Sequence, residues 1–176
     1  MQTNRSLLTF LLTNALALGL IFALVTGCKK DNDPGTGSTT TSLRGTWTIT
    51  SLSVTPGVSV SGLVVTELVS ALSLLEPNCV NNVTVTFSAN GTVSNNAASV
   101  SGCATATQSQ RLINTFFSSA TTYIETDNQV TLTNNGQNTV ASKTTTATTA
   151  TLTTQLPVRP DNTPGQTTYV LQLTKR

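Results

Sequence analysis

At 176 residues, with 38% apolar, 9% charged and 5% aromatic side chains, the chain has the size of one domain and little charge. It has no His, which removes imidazole acid–base catalysis, His–metal sites and Ser-His-Asp or Cys-His nucleophile pairs. A net charge of +2 without a basic cluster excludes nucleic acid as a partner, and Thr, about a fifth of the chain, favours pleated, half-wet surfaces and so an all-β fold.

In chain order, Arg5 and the N-terminal amine form a short basic region. Leu7 to Val25 is then almost wholly apolar, interrupted by Thr9, Thr13 and Asn14. About 20 apolar residues can span a bilayer, so an uncleaved anchor is one reading. The run ends, however, in Leu24-Val25-Thr26-Gly27-Cys28, which resembles the lipobox of bacterial lipoproteins. The resemblance implies that residues 1–27 are a signal peptide, that cleavage falls between Gly27 and Cys28, and that Cys28 carries the lipid, including palmitate-type acyl chains. One acyl chain binds a bilayer only marginally, whereas the three of a mature lipoprotein hold effectively permanently. Lys29 stands where an Asp would favour inner-membrane retention, and Lys29-Lys30-Asp31-Asn32-Asp33 resembles the charged export signals of surface-displayed lipoproteins. The expected address is therefore the outer membrane, with the cell surface as the expected face. Residues 28–42 continue as a flexible Pro/Gly/Thr/Ser linker, roughly 20 Å across as a random coil.

Residues 43–176 read as strands separated by turns. Leu43 to Val54 alternates, with Trp47 and Ile49 against Thr46, Thr48 and Thr50. Gly62 to Leu75 places Val64, Leu68, Ala71, Leu72 and Leu75 at helical spacing before Pro77, which predicts a helix, thinly polar and largely covered. Val83, Val85 and Phe87 alternate with Thr84, Thr86 and Ser88. Ala89-Asn90-Gly91 then forms a three-residue turn that sets Phe87 opposite Val93. Asn95–Gln110 reads as a long polar loop, and 101–119 has no recognisable pattern. Further strands are expected at Thr121–Thr126, Gln129–Thr133, Thr139–Lys143 and Thr148–Gln155, with turns at Asp127-Asn128 and Asn134-Asn135-Gly136. A last strand carries Tyr169, Leu171 and Leu173 on one face.

Cys79 precedes the Val83 strand and Cys103 follows its partner, so folding that hairpin brings the two opposite each other. In an exported protein this predicts a disulfide, and two free thiols or a metal pair are poorly supported without His or further Cys.

Leu43-Arg44-Gly45-Thr46-Trp47 at the first strand resembles the G-x-W signature of lipocalins. Cys79-Val80-Asn81-Asn82-Val83-Thr84-Val85-Thr86-Phe87-Ser88-Ala89-Asn90-Gly91-Thr92 is similar to the C-x-x-(N/D)-x-x-x-x-F-x-x-(D/N)-G-T block of bacterial lipocalin-like domains, which often carry a second Cys downstream. The T-D-Y turn and the basic C-terminal motif of animal lipocalins have no counterpart here. The resemblance implies an all-β fold: an eight-stranded up-and-down antiparallel β-barrel with one helix inserted between strands 1 and 2, Gly45 and Trp47 sealing its closed end. An immunoglobulin-like sandwich is the runner-up. Within a barrel the inward set is Ile49, Val85, Phe87, Val130, Leu132, Leu152, Tyr169 and Leu171, which forms either a ligand lining or an ordinary core.

Three functions follow. The first is a membrane-anchored binder of a small apolar or amphipathic ligand, the predicted helix lying near one mouth. The second is a filled barrel that acts as a structural or interaction module. The third, an enzyme, has only Glu67, Glu76, Glu125, Asp127 and Asp161 to draw on, with Glu125 and Asp127 able to share a strand face as a carboxylate pair. No cofactor, metal or catalytic residue is expected. The first two readings differ in whether the barrel interior is void or packed.

Overall fold

The β-branched and Thr-rich runs fold into antiparallel strands because alternate residues bury one apolar face while Thr and Ser stay at the water. The computed structural model describes residues 41–60, 62–158 and 164–176. The signal segment, Gly27, Cys28, most of the linker and Asp161 lie outside the described residues. In chain order the elements are β1 (Gly45–Val60), β2 (Leu63–Glu67), α1 (Leu68–Leu75), β3 (Thr84–Phe87), β4 (Val93–Asn95), α2 (Thr107–Phe117), β5 (Thr122–Glu125), β6 (Gln129–Asn134), β7 (Gln137–Thr145), β8 (Thr149–Val158) and β9 (Pro164–Lys175).

Eight of these strands pair in the order β4-β3-β1-β9-β8-β7-β6-β5, while β2 pairs only with β1. The two ends of that row meet. Thr92 bridges Thr122, the Val93 amide donates to the Thr121 carbonyl at 2.9 Å, and the Tyr123 amide donates to the Gly91 carbonyl at 2.7 Å. The result is a nearly closed antiparallel barrel in which barrel strands consecutive in sequence are also neighbours in space. That order, with hairpins throughout, replaces the sandwich alternative.

The turns do what their residues dictate. Asn135 and Gly136 both take positive φ (49° and 77°), the two-residue hairpin geometry whose twist matches the flanking strands, and Asn134 pairs with Gln137. Gly91 at φ 81° closes the β3–β4 turn, and Phe87 pairs with Val93 as the spacing predicts. The Thr55-Pro56 peptide bond is cis, within the irregular stretch of β1.

Two expectations need correction. The helix predicted over Gly62–Leu75 begins only at Leu68, because Val64-Val65-Thr66 is a β-branched run that gains more from pairing with Val58, Ser59 and Val60 than from helix. Glu67 marks the switch, its carboxylate accepting from the Val69 amide at 3.3 Å and from the Ser70 amide at 2.5 Å. Leu68 and Leu72 are buried as predicted, but Val64 and Leu75 are exposed. The second correction is α2, which lies where the sequence suggested a loop and a patternless stretch. Leu112, Ile113, Phe116 and Phe117 fall at i, i+1, i+4 and i+5 and form one apolar stripe.

Cys79 and Cys103 form a disulfide with a Cα–Cα distance of 4.5 Å. The chain-entropy relation for a loop closed over a separation of 24 residues gives about 3.5 kcal/mol. Urea unfolding with and without reductant should differ by a loss of about 2–4 kcal/mol; coincident curves would show that the bond contributes nothing to stability.

Candidate functional site

One end of the barrel is sealed by the segment that leads into β1. Trp47 and Leu43 are both fully buried, and the indole Nε1 donates to the Leu43 carbonyl at 2.6 Å. Gly45 sits between them at φ 123°, and a Cβ there would meet Lys175 Cε at 3.2 Å. The glycine thus leaves room for the Lys175 ammonium, which lies 5.4 Å from the Trp47 ring centroid. This is the physical content of the Gly45–Trp47 motif.

A polar clasp completes the seal. The Glu125 carboxylate, on β5, accepts from the Leu43 amide at 3.0 Å and from the Ser42 hydroxyl, and it pairs with Lys143 Nζ at 3.1 Å. Lys143, an inward position of β7, has a side chain only 2% exposed. Thr145 adds a hydrogen bond to the Thr41 carbonyl. Burial pushes the Glu125 carboxyl up, but the Leu43 amide, the Ser42 hydroxyl and Lys143 together outweigh it and hold the group below its ordinary value. Burial and then the Glu125 charge push the neighbouring Tyr123 phenol up, with Arg44 opposing, so its hydroxyl stays a donor to the Ser88 carbonyl at 3.0 Å.

The interior is filled with rings. All six aromatics among the described residues are buried, none more than 7% exposed. Phe87 meets Phe117 and Tyr123 edge-on at 5.9 and 5.1 Å, and Phe116 meets Tyr169 at 5.4 Å. The open mouth is covered by α1 and α2. Where Val69 of α1 and Ile113 and Phe116 of α2 face Ile49, Leu52 and Leu171, a cavity of about 10 Å³ remains. That is at the lower limit for one water, and its walls offer no polar partner to hold one.

The eight predicted inward residues all point into this interior and are buried. Ile49 and Leu171 border the small cavity, and Phe87 and Tyr169 belong to the ring cluster. Val85 pairs with Trp47, Val130 with Glu125, Leu132 with Tyr123, and Leu152 with Leu171.

The candidate acids are engaged elsewhere. Glu67 Oε1 accepts from the Leu52 amide at 2.8 Å and from Ser51 Oγ at 3.2 Å besides capping α1. Burial raises its carboxyl, the Ser70, Leu52 and Val69 donors outweigh that, and the net shift is downward. Glu76 accepts from the Gln108 and Ser109 amides at 3.4 and 3.0 Å, so it caps α2 from another element. Asp127 is exposed in the β5–β6 turn, while Glu125 faces inward, and the structure does not join them as a pair. Among the described residues no three His, Cys, Asp or Glu side chains come together as a metal site.

Sequence reasoning missed α2, the Glu76 cap and the inward Lys143. The Leu112–Phe117 spacing could have given α2; nothing local could have given the other two, which are long-range contacts. Replacing Glu76 with Ala should cost about 1 kcal/mol in urea unfolding, since it strips two first-turn amides of their acceptor. An unchanged midpoint would show that water serves those amides equally well. Comparison of the chain with protein-family models, with curated proteins and with solved structures finds no match.

Proposed function

We propose that this chain is a lipid-anchored envelope protein, tethered through Cys28 to the outer membrane with its domain at the cell surface, whose lipocalin-like barrel is a filled scaffold for interactions and not an enzyme. The observation that carries the scaffold reading is the packed interior: six buried aromatics and a residual space of about 10 Å³. A drug-sized ligand needs a pocket of some 300–1,000 Å³. Thr and Ser rows on the barrel wall, such as Thr144–Thr151–Gln172–Ser51 across β7, β8, β9 and β1, then offer the hydrogen-bonding surface. The non-catalytic reading is supported by Glu67, Glu76 and Glu125, each of which holds backbone amides.

The anchor rests on the resemblance of Leu24-Val25-Thr26-Gly27-Cys28 to a lipobox, and the lipocalin likeness on Gly45–Trp47, the Cys79–Thr92 block and the barrel. Cells fed radiolabelled palmitate should label the chain, and Cys28→Ala should abolish the label. Label retained by Cys28→Ala would overturn the anchor. Digestion of the domain by protease added to intact cells tests the surface address, and full protection would refute it.

The second reading is a carrier of a small apolar or amphipathic molecule. In its favour is the apolar cavity between α1, α2 and the barrel, which would have to enlarge by movement of α2. Such a carrier would show saturable quenching or enhancement of the single Trp by added fatty acid; the scaffold reading expects none.

A further inference from the structure

We propose that the outer edge of β2 is a self-association site, at which a second copy of this chain adds its own β2 in antiparallel register. β2 hydrogen-bonds to β1 on one side only, and among the described residues no strand or loop pairs with its other side. An edge with unpaired amides and carbonyls is a template for another strand, and proteins that avoid such pairing guard the edge with Lys, Pro or a covering element. Leu63-Val64-Val65-Thr66-Glu67 has no such guard, and Leu63 and Val64 are 71% and 79% exposed.

The second copy is the occupant that the charges fit. In antiparallel register about Val65, Val64 faces Thr66 of the other copy and Leu63 faces its Glu67, so no like charges meet. The Glu67 carboxylate is already turned towards Leu52, Val69 and Ser70 of its own chain, which leaves the edge neutral. A twofold axis through Val65 makes the contact isologous and closed, so it stops at two copies. The edge also lies at the opposite end of β1 from the clasped Thr41–Arg44 segment, so the chain leading into the barrel does not obstruct it. The inference rests on the interaction-module reading and names its partner.

The test is cysteine cross-linking of the full chain in isolated membranes. The native Cys79 and Cys103 are tied to each other, and residues facing each other across an antiparallel pair have Cα atoms about 4.5–5.5 Å apart, within disulfide reach. Val65→Cys should therefore give a reducible dimer band under mild oxidant. Ile124→Cys, 76% exposed on the barrel wall, should give at least about tenfold less. Adding Val64→Lys to Val65→Cys should lower the dimer yield about tenfold. Because Val64 is exposed, Trp47 emission and strand content should not change. No dimer from Val65→Cys, equal yield from Ile124→Cys, or indifference to Val64→Lys would each overturn the proposal. Failure here leaves the bare, filled interior intact, whereas a bound lipid would remove the scaffold reading without altering the cross-linking result.

Discussion

Replacing Trp47 with Ala is expected to destabilise the domain by about 3–5 kcal/mol, seen as a lower urea midpoint in the far-ultraviolet circular dichroism. The side chain is fully buried, pairs across β1–β3 with Val85 and across β1–β9 with Lys175, and anchors Leu43 through its indole N–H. Its loss leaves both a cavity and an unpaired Leu43 carbonyl. Trp47→Phe keeps most of the volume and removes the donor, so it should cost about 1–3 kcal/mol. If Trp47→Ala cost no more than an ordinary surface change, the sealed end would not be part of the stabilising core.

The second large effect concerns Glu125 and Lys143. Glu125→Leu leaves the Lys143 ammonium buried without its partner, and breaking such a pair costs about 3–5 kcal/mol. Glu125→Leu combined with Lys143→Met should recover most of that loss, because the buried charge goes with its partner. A double variant as unstable as Glu125→Leu would instead assign the loss to the Ser42 and Leu43 contacts.

The same clasp sets the acid response. Glu125 and Glu67 both titrate below the ordinary value of 4.5 in the folded chain. A carboxyl with a depressed folded pKa adds stability that is complete above the unfolded value and lost as pH falls through the folded one. Unfolding midpoints should therefore hold from neutral pH to about 5 and drop below about 4.5. Glu125→Gln should flatten that drop; a variant that falls as steeply as the parent would place the acid sensitivity elsewhere.

What the sequence could and could not reveal follows the range of the interactions. Period-two alternation gave the strands from Thr84 onward, and Asn135-Gly136 and Gly91 gave their turns, because both signals are local. The disulfide was legible because the β3–β4 hairpin fixes which cysteines meet. The inward set was legible for the same reason of parity: one face of a strand is one set of alternate residues. The β2–α1 boundary was not, since Leu and Val at positions 63–65 fit a helix stripe and a strand equally well until the partner strand decides. The clasp was out of reach too, because it joins Ser42 and Leu43 to residues more than 80 positions away. Whether the barrel was filled depended on α2 delivering Phe116 and Phe117 to its mouth.

The account turns on that filled interior. The most direct measurement is native mass spectrometry of the full chain purified from its own membranes under gentle detergent. The expected spectrum holds the polypeptide and its covalent acyl groups with no further mass, unchanged after incubation with fatty acids or isoprenoids. An additional adduct that organic extraction removes would contradict the scaffold reading and identify a carried ligand in its place.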